Sequence, residues 1–191
     1  MNRETLVIGL VGETGSGKDT VADYLRDTYG AELTRLSDPI KKSLRHFFDA
    51  PSKADQAWLY SVFKERFGED VLHQALRHHI AHIQSPVVVI NGLRMPVDED
   101  FVRALPNSVI LYITANQKLR WERTVARYEK SDDNQSLESF VHFEATAETE
   151  RHVPAIGARA DVTIHNDGTL EKLLSAVDTF MAHHNIAKVR Q

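Results

Sequence analysis

A chain of 191 residues suits one α/β domain with small inserted subdomains, and a hydrophobic fraction of 42% is enough for a full core. A net charge of −4 argues against a large nucleic-acid surface. The absence of cysteine removes disulfides and thiol catalysis and fits a cytoplasmic protein.

The elements follow in chain order. "TLVIGLV" (5–11) is an apolar run ending near glycine, as expected of a buried parallel strand, and it is too short to span a membrane. "KDTVADYLRDTYG" (18–30) predicts an amphipathic helix with Val21, Tyr24 and Leu25 on one side and Gly30 as its stop. "AELTRLS" (31–37) reads as a second strand. "DPIKKSLRHFF" (38–48) reads as a helix with Asp38 at its cap and Pro39 in the first turn. Residues 52–84 are helical in pattern with a break at Gly68, and "SPVVVING" (85–92) and "NSVILYIT" (107–114) are strands. A helix is predicted over 116–130, a polar break over 131–136, and helix again over 137–151. "ADVTIHNDG" (160–168) is a short strand with a turn, and 169–184 the closing helix. The polar tail from 182 onward reads as frayed. Alternating strands and helices predict a parallel sheet covered on both faces. The strandless stretches 41–84 and 120–151 are the places for inserts.

"GLVGETGSGKDT" (9–20) matches G-x-x-x-x-G-K in full between a predicted strand and a predicted helix. Gly12, Gly15 and Gly17 let the backbone of this loop approach a phosphate chain. Glu13, Thr14 and Ser16 complete the turn. Lys18 supplies a charge that can follow a transferred phosphoryl group. Asp19 stands where Ser or Thr is usual, so Thr20 is the nearest hydroxyl, placed to touch an inner phosphate. Mg²⁺ would then be held mainly by phosphates and water. Asp19 is suited to hold a metal-bound water, and equally to face the positive end of a helix.

"GSGKDTVADYL" resembles the loops of P-loop nucleoside and deoxynucleoside monophosphate kinases and of dephospho-CoA kinases, and in adenylate kinases the hydroxyl is likewise shifted by one residue. "RLSDPIKKSL" resembles deoxynucleotide kinases and animal-type phosphomevalonate kinases. "FKERFGEDVLHQAL" and "VVVINGLRMPVDEDFVR" resemble a set of archaeal nucleotide kinases. "ARADVTIHNDGTLEKL" is similar to the end of that set and of dephospho-CoA kinases. The resemblance implies a single P-loop domain over 1–191 with a five-stranded parallel sheet, an acceptor-binding helical insert at about 41–84 and a mobile lid at about 120–151. It implies ATP as donor, Mg²⁺ as cofactor and a small phosphate acceptor, with no membrane or nucleic-acid partner. Arg120, Arg123 and Arg127 are the lid arginines. By resemblance Arg123 would stack on the donor adenine and Arg127 would reach the phosphates, and Asn166 joins the donor site. A solvated basic face is the alternative for these arginines.

On the acceptor side, Arg94 follows a buried strand and can grip a phosphate with two parallel bonds; a structural ion pair with Asp98 or Glu99 is its alternative. Asp38, Lys41 and Arg45 follow the second strand, which borders the acceptor in the resembling kinases. Asp38 is a base if the acceptor is a hydroxyl and a plain cap otherwise. Trp58, Tyr60 and Phe63 read first as the insert's own core and second as a platform for a base. His73, His78, His79 and His82 lack a flanking third ligand, so no metal site is expected there. A hydrolysing switch would want an acidic residue after the strand 87–90, where Asn91 and Gly92 stand instead. A non-catalytic nucleotide-binding module stays open.

Overall fold

The computed structural model describes residues 5–127 and 136–189, and the side chain of Arg127 is not among what is described. Five strands form one parallel sheet in the order β2-β3-β1-β4-β5. They are β1 (Leu6–Val11), β2 (Glu32–Thr34), β3 (Val87–Asn91), β4 (Ser108–Thr114) and β5 (Val162–His165). In β1, Ile8 lies opposite Val89 of β3 and Val109 of β4, and Leu111 of β4 lies opposite Val162 of β5. Every residue of β1 and β3 is buried, which is why both read as continuous apolar runs and not as alternating ones.

Helix α1 (Lys18–Tyr29) follows β1 and buries Val21, Ala22, Leu25 and Tyr29; it ends at Gly30, whose φ of 67° needs the left-handed region. The remaining helices of this unit are α5 (Pro96–Arg103), α6 (Gln117–Arg127), α7 (Leu137–Thr146), α8 (Val153–Gly157) and α9 (Leu170–His183). Ile8, Leu10, Val21, Leu25, Leu111 and Val177 belong to one continuous core beneath the sheet.

The tail is more ordered than its polarity predicts. Lys188 donates to Asp178 at 2.7 Å, Tyr24 and Tyr29 both donate to the same carboxylate at 2.7 Å, and Val189 N–H donates to the Thr28 carbonyl at 2.9 Å. A buried-edge carboxylate shared by three donors outweighs the loss of chain entropy that frays most termini.

Residues 34–84 form a second compact unit, described by itself. It consists of α2 (Asp38–Arg45), α3 (Lys53–Phe67) and α4 (Val71–Ile80). The cap of α2 is Ser37, not Asp38, and the Asp38 carboxylate instead accepts the Arg35 N–H at 2.7 Å. Ser52 and Asp55 close a reciprocal capping box on α3, with Asp55 N–H donating to Ser52 Oγ at 3.1 Å and Ser52 N–H to Asp55 Oδ2 at 2.8 Å. The reading of Trp58 as core is overturned. No residue of α3 is buried, Trp58 is 64% exposed, and the aromatic contact of this helix is Phe63 against Phe67.

Candidate active site

The loop between β1 and α1 has the geometry that its glycines require. A Cβ on Gly12 would meet the Ile113 carbonyl at 2.5 Å and Ser16 Oγ at 2.7 Å. Gly15 and Gly17 have φ of 78° and 93°, and a side chain on either would also strike the Arg120 carbonyl or the Asn166 amide. The loop folds on itself through Ser16 N–H donating to the Glu13 carbonyl at 3.1 Å, and it delivers Lys18 to the first position of α1. Helix N-termini present N–H groups to anions, so this cradle fits a phosphate chain. Ser16 Oγ lies buried in it without a hydrogen-bond partner among the described residues.

Three long-range struts hold the loop. Asn166, after β5, donates to the Ser16 carbonyl at 2.9 Å, and its own N–H donates to the Thr114 carbonyl at 2.7 Å. Tyr112 and Thr114 of β4 both donate to Glu13 Oε1, Thr114 at 3.4 Å; burial, then the bond to Glu13, pushes the Tyr112 phenol up to about 12. Arg120 is buried. It donates to the Ala115 carbonyl at 3.0 Å and the Thr14 carbonyl at 3.2 Å, pairs with Glu144, and stands over the Phe140 ring. A buttress under the loop is therefore its place in this structure.

Lys18 is nine-tenths buried. Its ammonium donates to Asp19 Oδ1 at 2.9 Å and to Asn91 Oδ1 at 3.0 Å, while Asn91 Nδ2 donates to Asp19 Oδ1 at 2.8 Å. Asn91 ends β3, 73 residues from Lys18, so no local spacing marks this triangle. Thr20 is exposed on α1. Arg123 donates through Nη2 to the Asn166 carbonyl at 2.8 Å, and its Nη1 is buried with no partner among the described residues. Trp121 lies between Arg120 and Arg123 on α6. Arg127 as a phosphate ligand falls outside the described side chains, and of the lid expected at about 120–151 the polar break over 131–136 lies, but for Ser136, outside the described residues.

Arg94 follows β3 as expected, but its guanidinium pairs with neither Asp98 nor Glu99. Asp98 caps α5 by accepting the Arg94 and Met95 N–H groups at 3.0 and 2.9 Å, and Glu99 is taken by Arg159 and Arg103. Those two guanidiniums, Arg159 first, hold the Glu99 carboxyl below its usual range. Arg94 Nη1 instead meets Glu150 and the Thr149 carbonyl, the latter at 3.2 Å. Glu150 was not anticipated. It sits in the turn between α7 and α8, where no periodicity marks it, and burial pushes its carboxyl up despite Arg94. Glu13, Arg120, Glu144, Glu150, Arg151 and Pro154 help line a cavity of about 250 Å³ beside the loop. Asp38, Lys41 and Arg45 belong to the unit over 34–84.

The family description "deoxynucleotide monophosphate kinase" matches residues 6–71, which contain the loop, Lys18 and Asp38. Among curated proteins the chain is 24% identical to a UPF0200 protein of Staphylothermus marinus, over 87% of this chain and 86% of that one. It is 26% identical to a uridine kinase of Borrelia turicatae, over 92% and 93%. Among solved structures it is similar in fold to TT1252 from Thermus thermophilus, with TM-score 0.59, 22% identity and coverage of 94% and 97%. Shikimate kinase from Bacteroides thetaiotaomicron gives TM-score 0.62 at 13% identity, covering 94% and 98%.

Proposed function

We propose, for a chain that is a P-loop small-molecule kinase of nucleotide monophosphate kinase-like type, that it transfers the γ-phosphoryl group of ATP to a (deoxy)nucleoside monophosphate. The observation that carries the choice of acceptor is Arg94. Its Nη1 is anchored, its side chain is 32% exposed, and Nε and Nη2 have no partner among the described residues. A guanidinium held on one edge and open on the other suits a phosphate dianion. The match over residues 6–71 supports the same acceptor class.

In this reading the loop backbone and Lys18 bind the donor phosphates, and Lys18 leaves Asn91 and Asp19 to follow the transferred group. Arg94 orients the acceptor phosphate, whose oxygens are already nucleophilic, so no strong base is needed. Arg123 and Asn166 border the donor base. Asp19, with its side chain 59% exposed beside the loop, fits Mg²⁺ through a bound water, and the ion would supply charge neutralisation on the phosphates. The cysteine-free composition supports a cytoplasmic setting.

A hydroxyl acceptor is the second reading, favoured by the name of the uridine kinase relative. Asp38 would then serve as base. The test is ATP-dependent ADP release screened over ribo- and deoxynucleoside monophosphates, uridine, dephospho-CoA and phosphomevalonate. Turnover with a monophosphate is expected, and Arg94→Ala should cut kcat/KM by about 2–4 kcal/mol in transition-state terms. Turnover with hydroxyl acceptors alone would withdraw the monophosphate reading.

A further inference from the structure

Arg94 is a long, flexible side chain whose use as a phosphate clamp requires a fixed orientation. An arginine has much rotamer freedom to lose, and a site that holds it beforehand gains affinity by removing that cost from the binding step. Beside the Thr149 carbonyl, Glu150 is the side chain that holds it, and Glu150 is itself buried. Its side chain is only 7% exposed. Its N–H donates to the Ala147 carbonyl at 2.9 Å, and its carbonyl accepts from Val153 N–H at 3.0 Å. The tight turn between α7 and α8 thus fixes the backbone that carries the carboxylate. Its two oxygens diverge, Oε1 to Arg94 Nη1 and Oε2 to Thr14 Oγ1 at 3.5 Å.

We propose that Glu150 is the positioning residue of the acceptor side, tying the Arg94 guanidinium to the tip of the phosphate loop so that acceptor and donor phosphates are received in fixed register. This rests on the phosphate-acceptor reading of Arg94. The carboxylate holds Nη1 from behind and leaves the Nε and Nη2 edge for the ligand. Through Thr14 it joins that edge to the loop that receives the donor.

The decisive comparison is Glu150→Ala and Glu150→Gln, each made in wild-type and Arg94→Ala backgrounds. Glu150→Ala should raise KM for the monophosphate about tenfold, as expected when one anchored side chain becomes mobile, and leave KM for ATP within about twofold. Glu150→Gln keeps a hydrogen-bond acceptor and should recover most of the loss. In the Arg94→Ala background neither change should add more than about twofold. Equal rises in both KM values, a fall in acceptor KM, or additive effects with Arg94→Ala would overturn the assignment. If Glu150→Ala does not fold, Glu150→Gln decides alone: a smaller rise confined to the acceptor supports it, and no rise or a parallel one sinks it. A second readout needs no substrate. The Arg94 guanidinium resonances, assigned by their loss in Arg94→Lys, should exchange slowly with water in the wild type and quickly in the Glu150 variants. A wild type without monophosphate turnover withdraws the acceptor reading. The exchange rates still judge the tether, which fails if wild type and variants exchange alike.

Discussion

Asn91 occupies the end of the strand that flanks the loop strand, where a carboxylate would bind Lys18 more tightly than a neutral amide does. An amide oxygen offers the ammonium a single bond at 3.0 Å, and the amide nitrogen keeps Asp19 Oδ1 turned toward the same lysine. Lysine is held in place and remains releasable. Removing a hydrogen bond to a buried charged group costs about 1.5–3 kcal/mol, so Asn91→Ala should lower urea-unfolding stability by about that amount, while kcat, for which Lys18 gives up this bond, should fall by much less. Full stability in the variant would mean that Lys18 is held without Asn91. At this scale the sequence disclosed what is contiguous. The loop glycines, Lys18 and Asp19 are neighbours, so spacing alone exposed them. Arg94 was legible from its place after a buried strand. Its partner was sought four or five residues away and lies 56 away, because a carboxylate across a fold leaves no mark in local spacing.

Long elements announced themselves and short ones did not. The strands 87–91 and 108–114 and the helices α1, α3 and α9 fall within a few residues of their expected limits, since each has enough turns or enough apolar residues for its period to be read. Helix α5, eight residues with Pro96 first and Asp98 as cap, was passed over as a connection, and so was the five-residue α8. Helix α8 nevertheless bears on the site. A Cβ on its Gly157 would stand 2.5–2.7 Å from the Tyr112 ring, whose hydroxyl holds Glu13. Overfilling a packed contact costs about 1–3 kcal/mol, and Gly157→Ala should lower urea-unfolding stability by that amount. It should also raise KM for ATP, because the ring that moves is the one bonded to the loop. A fully stable variant would show that the ring has room to yield.

For the molecule as a whole, the alternation of strands and helices foretold a covered parallel sheet, and residues 34–84 form a compact unit of their own. Strand order was beyond local pattern, because it depends on which way each connection crosses the sheet. The two tryptophans divide between the two units: Trp58 stands exposed on α3, and Trp121 is on α6 beside the arginines next to the loop. Intrinsic fluorescence therefore offers two reporters in one unlabelled chain. Trp58→Phe should leave an emission that responds to ATP. Trp121→Phe should leave a water-exposed indole that shifts to the blue or is quenched on adding the acceptor, as an aromatic stacking on a base would be. A Trp58 signal indifferent to every monophosphate would separate this aromatic from acceptor recognition, and the order in which the two signals change after rapid mixing would give the order in which the substrates bind.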